Sequence, residues 1–337
     1  ATTEIYALSL HDALPICFEY FLSAAEEMNF TKAAKKNYVS QQCISEHIKR
    51  LENEYNTILF NRTPELSLTE QGKIFLDTLK TYKVMDKSLK RKIEELTQGD
   101  CGSFSFGINS SRARVILPDV LHNYSNRFPN VNIAVTLNDT RLMEKMVLDD
   151  KLDMFLGVNT NYNDLLDIKH ISYEGIYLII SIDTINSFFK NESRTFIKYS
   201  KNGVRPKDLS GMNFILNLSK STTTSVILSL LNNHKIQFKN TLSISDYDTQ
   251  FAICRVQNFA TFAPTTMLER VMKLNENTPI ENFLCAFPIK DCDNQLNVQL
   301  VKHKLFDPPK YMVDFSNELE KYIKHYNNKY HHCISPY

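Results

Sequence analysis

Between Phe30 and Glu52 the chain reads as two short helices joined by a tight turn, and no other segment constrains the fold as much. Ala33 and Ala34 are small where two helices must approach closely. Val39, Ile44, Ile48 and Leu51 recur at helical spacing and predict one buried face. Ser40 sits where an N-cap belongs. Ser40, Gln41, Gln42, Ser45, His47 and Lys49 fall largely on the other faces. A second helix of this size and polarity suits the major groove of double-stranded DNA. Its amide, hydroxyl and imidazole groups make Gln41, Gln42, Ser45 and His47 the expected base contacts. Thr31, Lys32, Ser40, Lys49, Arg50 and Arg62 are the expected phosphate contacts.

The formal net charge of +1 says little, but its distribution does. From Thr31 to Arg50 the chain carries Lys32, Lys35, Lys36, Lys49 and Arg50 against Glu46 alone, the local positive face that phosphate attraction needs. With 43% hydrophobic residues and no apolar run of about 18 residues, a membrane-spanning helix is not expected. The seven cysteines lack Cys-x-x-Cys spacing, so most are expected to be reduced, buried thiols of a cytoplasmic protein. His331, His332 and Cys333 cluster near the C-terminal end without a second half, so neither a metal site nor a cofactor is expected.

The run from Phe18 to Gly72 resembles the N-terminal domain of LysR-type transcriptional regulators. Ser40-Gln41, Leu51-Glu52, Leu59-Phe60-Asn61-Arg62 and Leu68-Thr69-Glu70-Gln71-Gly72 all stand at that family's spacing. The resemblance implies a winged helix-turn-helix over 18–72 and a linker and dimerisation helix over 73–97. It also implies a hinge at 98–103 and a two-lobed, periplasmic-binding-protein-like α/β effector domain over 104–320. Lobe I would comprise about 104–178 and 265–320, and lobe II about 179–264. The wing, Thr63-Pro64-Glu65-Leu66-Ser67, departs from the pattern: it is one residue short and has an acid at its tip. Residues 1–17 are expected to be non-native, because Ala1 to Ile16 resembles translated sequencing adapter. The first helix is then expected over Cys17 to Met28.

Thr69 to Leu96 predicts a long helix capped by Thr69, with Ile74, Phe75, Leu79, Tyr82, Met85, Leu89, Ile93 and Leu96 as its apolar seam. A seam of that length calls for a partner, and the resemblance supplies one: a second copy, in a homodimer or homotetramer. Downstream, strands and helices alternate and predict a mainly parallel sheet. Phe104 to Ile108, Val131 to Leu137, Leu152 to Val158 and Ile176 to Ile182 read as strands, and Val115 to Arg127 and Thr140 to Leu148 as helices. Thr261-Phe262-Ala263-Pro264 would return the chain to lobe I.

Two polar loops would face the cleft between lobes. Asn109, Ser110, Ser111 and Arg112 form the first; Ser219, Ser221 and Thr222 represent the second. Hydroxyls and free N–H groups before a helix make an anion site, and Arg112, Arg114 or Lys220 would add charge. The expected ligand is therefore a small metabolite bearing a carboxylate. Val256-Gln257-Asn258-Phe259-Ala260-Thr261 lacks the glycines that the family has there, which limits close backbone approach.

No G-x-S-x-G, H-E-x-x-H, Walker or G-x-G-x-x-G motif is present, and eight glycines in the whole chain argue against a phosphate-cradling loop, so catalysis is not expected. A solute-binding protein would suit the two-lobed half alone. The helix-turn-helix favours a cytoplasmic, ligand-responsive DNA-binding regulator without a membrane partner.

Overall fold

The computed structural model describes residues 10–98, 101–189, 198–217, 222–290 and 296–329. The chain forms two compact units, one ending at Lys87 and one beginning at Ser88.

The first unit packs helices α1 (Leu10–Glu27), α2 (Phe30–Lys36) and α3 (Gln41–Glu54) around Phe21, Ala24, Ala33, Ala34, Ile44, Ile48 and Leu51. Ala33 and Ala34 are fully covered, which lets α2 lie close between its neighbours. Asn29 caps α2 by accepting from the Thr31 and Lys32 amides. Helix α1 starts at Leu10 rather than Cys17 and so runs through Pro15.

A two-stranded wing follows, β1 (Phe60–Asn61) and β2 (Ser67–Leu68), paired antiparallel. Glu52 anchors its base by accepting from the Leu59 amide at 3.0 Å and the Phe60 amide at 3.4 Å. Helix α4 (Glu70–Gln98) begins with the Thr69 hydroxyl accepting from the Gly72 amide at 2.9 Å. A Cβ on Gly72 would lie 2.1 Å from the Leu59 carbonyl oxygen, so only glycine permits this approach. Phe75 and Leu79 join the core of the first unit, whereas Ile74, Tyr82, Met85, Leu89, Ile93 and Leu96 are exposed.

The second unit holds the last turns of α4 firmly. Arg91 pairs with buried Asp153 at 2.7 Å, and Asp153 also accepts from the Ser105 amide and hydroxyl. Ser88 donates to the Asp307 carbonyl, and Glu95 accepts from the Lys310 amide. The expected hinge at 98–103 is narrower than its range. Gln98 closes α4, while Gly102 already pairs with Val131; residues 99 and 100 lie outside the described residues.

Two five-stranded sheets make the two lobes. The first is built from β3 (Gly102–Ile108), β4 (Val131–Leu137), β5 (Met154–Val158), β6 (Leu166–Glu174) and β12 (Leu296–His303), in the order β4-β3-β5-β12-β6. Helices α5 (Ser110–Arg127), α6 (Thr140–Leu148) and α11 (Lys310–Lys329) pack on it. The second contains β7 (Ile176–Ser181), β8 (Asn213–Leu216), β9 (Asn240–Ser243), β10 (Ala260–Pro264) and β11 (Leu284–Pro288), in the order β11-β7-β10-β8-β9. With it go α7 (Ile182–Phe188), α8 (Thr222–Asn233), α9 (Tyr247–Val256) and α10 (Leu268–Asn275).

Both sheets are mixed rather than mainly parallel. In the first, β12 runs antiparallel to β5 and β6; in the second, β7 runs antiparallel to β10 and β11. The helix-connected strands are parallel as expected, and the antiparallel pairs come from segments distant in sequence. The lobe limits also differ from those expected. The chain leaves the first sheet at Glu174 and enters the second at Ile176, and it returns between Pro288 and Leu296 rather than near residue 265. The cause is β11, which pairs with β7 from Tyr177 to Ser181 and keeps the chain in lobe II for one more strand.

Candidate DNA-reading face and effector cleft

On α3 the buried stripe is Ile44, Ile48 and Leu51, and Gln41, Gln42, Lys49 and Arg50 are exposed. Ser40 caps the helix by accepting from the Cys43 amide at 3.1 Å, which leaves its hydroxyl proton free to donate. Thr31 and Lys32 lie exposed in the first turn of α2. Gln41 and Ser45 share an open groove with Asn29, Phe30, Arg62, Glu65 and Leu66. The exposed wing carboxylate Glu65 therefore stands beside the candidate base-reading residues, where it opposes a phosphate.

Two expected contacts are engaged within the protein. His47 Nδ1 lies 3.0 Å from Cys17 Sγ, and its ring meets Tyr20 edge-on at 4.9 Å. That turns the imidazole toward α1, so a base would have to compete with Cys17 and Tyr20 for it. Burial and the nearby Arg50 charge lower the His47 pKa, favouring the neutral ring. Arg62 donates to Glu52 at 2.9 Å, so a phosphate would have to compete for it.

In the second unit a cleft of about 440 Å³ opens between the lobes. Asn109, Ser110, Ser111 and Arg112 line it, but only Asn109 precedes the helix. It caps α5 by accepting from the Ser111 amide at 3.0 Å, and Ser110 to Arg112 form the first helical turn. The apolar period begins only at Val115, which explains why the expected helix started late. From lobe II come Asn217, Thr222, Thr223, Ser245, Asp246 and Tyr247. Ser219, Lys220 and Ser221 lie outside the described residues, and α8 begins at Thr222.

Arg112 is buried and donates to Glu174 at 2.5 Å, and Glu174 also accepts from the Thr266 hydroxyl. Among the described residues the buried Arg112 Nε has no hydrogen-bond partner. Tyr247 is buried alongside, and burial raises its pKa, partly offset by the Arg112 charge and by Asn217 and Thr223. Asp139, Thr140 and Tyr247 were not anticipated as lining. Asp139 and Asp246 stand at capping positions, accepting from the Leu142 and Thr249 amides, a local signal that marks the start of a helix but not a place in the cleft. Among the described residues no group of three or more His, Cys, Asp or Glu converges on a metal position, and no helix is long and apolar enough to cross a membrane. His331, His332 and Cys333 lie outside the described residues.

A helix-turn-helix with an exposed polar face, carried on the same chain as a two-lobed domain with a polar cleft, defines a ligand-responsive DNA-binding protein. Residues 18–73 match the family model described as bacterial regulatory helix-turn-helix protein, lysR family, and residues 97–276 match the LysR substrate binding domain. The chain belongs to the LysR family and is a DNA-binding transcriptional regulator with a domain that senses a small effector. A probable RuBisCO transcriptional regulator of Thalassiosira pseudonana is 28% identical over 271 residues, covering 78% of this chain and 85% of that protein. Two solved structures share the fold. Full-length OxyR from Pseudomonas aeruginosa has a TM-score of 0.61 at 15% identity, covering 91% of this chain and 93% of its own. Full-length CbnR in complex with its target DNA has a TM-score of 0.53 at 16% identity, covering 91% and 99%.

Proposed function

We propose that the chain reads DNA through Gln41, Gln42 and Ser45 and grips phosphates through Thr31, Lys32, Ser40, Lys49 and Arg50, with Arg62 available once it leaves Glu52. The observation that carries this reading is the division of α3: its apolar stripe is wholly buried, while its amide and cationic side chains face outward. Two copies pair along the exposed seam of α4, presenting two reading heads to an inverted repeat. The cleft takes a small metabolite, with Asn109, Ser110, Ser111, Arg112 and Thr222 among its contacts. The protein acts in the cytoplasm, where its DNA lies, and performs no catalytic step.

Two-lobed domains respond to ligand by closing about the crossing segments. Here the last turns of α4 are fixed to lobe I through Arg91 and Asp153, so movement of the lobes is passed to the pairing helix. Effector binding then alters the spacing of paired heads or the bend of the DNA, rather than base reading itself. Footprinting and circular-permutation bending assays with and without a cleft ligand test this. A changed footprint edge or bend angle is expected, and an identical footprint and bend with the cleft saturated contradicts it.

A further inference from the structure

Two arginines of α5 line the effector cleft, and they are held in opposite ways. The Arg112 side chain is 7% exposed and faces Glu174, which is 2% exposed. Separating such a pair strands a buried charge, so Arg112 stays neutralised where it is. It therefore brings no net charge to a ligand.

Arg114 is 53% exposed and reaches across the mouth of the cleft from lobe I to lobe II. Its Nη1 donates to Asp246 Oδ1 at 2.6 Å and to Asp248 Oδ2 at 3.2 Å. Neither carboxylate depends on it. Asp246 Oδ2 accepts from the Thr249 amide at 2.9 Å and its hydroxyl at 2.8 Å, and Asp248 is held by Arg270 at 3.0 Å. Ion pairs this exposed are weak, so the guanidinium exchanges partners readily. With Arg112 already matched by Glu174, the charged side chains left in the described lining are Arg114 and the two carboxylates Asp139 and Asp246. Among the described residues, an acid entering the cleft therefore finds its counter-charge by taking Arg114 from the aspartates.

Resting on the reading of this cleft as the effector site, we infer that Arg114 determines the charge class of the effector: it clasps the lobes together until an acidic group on a small metabolite displaces Asp246 and Asp248. A neutral ligand leaves the clasp in place. Recognition of the acid and exchange of a contact between the lobes are then one event.

The test is thermal-shift and calorimetric binding by the full chain, using a panel of small carboxylic acids, their matched amides and small amines at constant ionic strength. Wild type is expected to bind one or more acids and not the matched amides. Arg114→Gln should weaken the acid about tenfold or more and erase the acid-over-amide preference, with Arg114→Lys restoring part of it. Asp246→Asn keeps the helix cap and should tighten the acid about three- to fivefold by freeing Arg114. An unchanged preference in Arg114→Gln overturns the inference, as does an Asp246→Asn variant that weakens the acid. Binding of amides or amines alone overturns it too while leaving the cleft a sensing site. No binding by any charge class counts against both the inference and the sensing reading.

Discussion

At the scale of single residues, the proposed DNA-reading face divides into anchors and readers, a division that two substitutions test. Gln42 is exposed on the first turn of α3 and its amide can pair with adenine through two bonds. Gln42→Ala is expected to relax preference at one base position by about 1–3 kcal/mol, measured by binding to operator variants. Lys49→Ala should instead weaken all sequences alike and flatten the slope of log K against log salt by about one. Equal behaviour of the two variants contradicts the division. His47 makes a pH prediction. Burial lowers its pKa below the ordinary 6.5, so the unfolded chain binds the proton more readily. Its contribution is present above about pH 6.5 and is lost as pH falls through the lowered value. The melting temperature of the DNA-binding unit should therefore drop between pH 7 and pH 5, and less so in His47→Gln. A drop unchanged in that variant assigns the titration elsewhere. Ser40 was legible as a cap because capping is local. The direction of His47 was not, since periodicity places it beside the buried stripe without revealing that Cys17 and Tyr20 occupy that side.

Elements carry the coupling between halves. Helix α4 shows two faces along its C-terminal turns: Ser88, Arg91 and Glu95 bond to lobe I, while Leu89, Ile93 and Leu96 are exposed. Ile93→Glu places a charge in the proposed seam and should convert the dimer to monomer in sedimentation without changing the protein's helical content. A dimer that persists places the pairing face elsewhere. Arg91→Ala leaves the buried Asp153 carboxylate without its cation and should cost about 3–5 kcal/mol of effector-domain stability in denaturant unfolding. A cost near zero makes that pair incidental. The seam of α4 was readable because its spacing persists over many turns. The start of α5 was not, because Ser110, Ser111 and Arg112 interrupt the apolar period: they face the cleft rather than the core. What looked like a loop before a helix is the helix itself, and its place on the cleft wall accounts for its polarity.

Over the whole molecule, the order of helix-turn-helix, wing, long helix and alternating α/β segments was legible from local patterns, because each is set by residues close in sequence. The return of the chain to lobe I was not. Whether β11 joins one sheet or the other depends on its pairing with β7, about a hundred residues earlier, and no local signal encodes that partnership. In the proposed function, two copies of this chain read one inverted DNA sequence. Selection of genomic fragments by the purified full chain at moderate salt tests it most directly. Enrichment of a single inverted repeat, with half-sites separated by about one helical turn or a multiple of it, is the predicted result. Retention of all fragments alike, vanishing as salt rises, would reduce the interaction to phosphate attraction and contradict the claim.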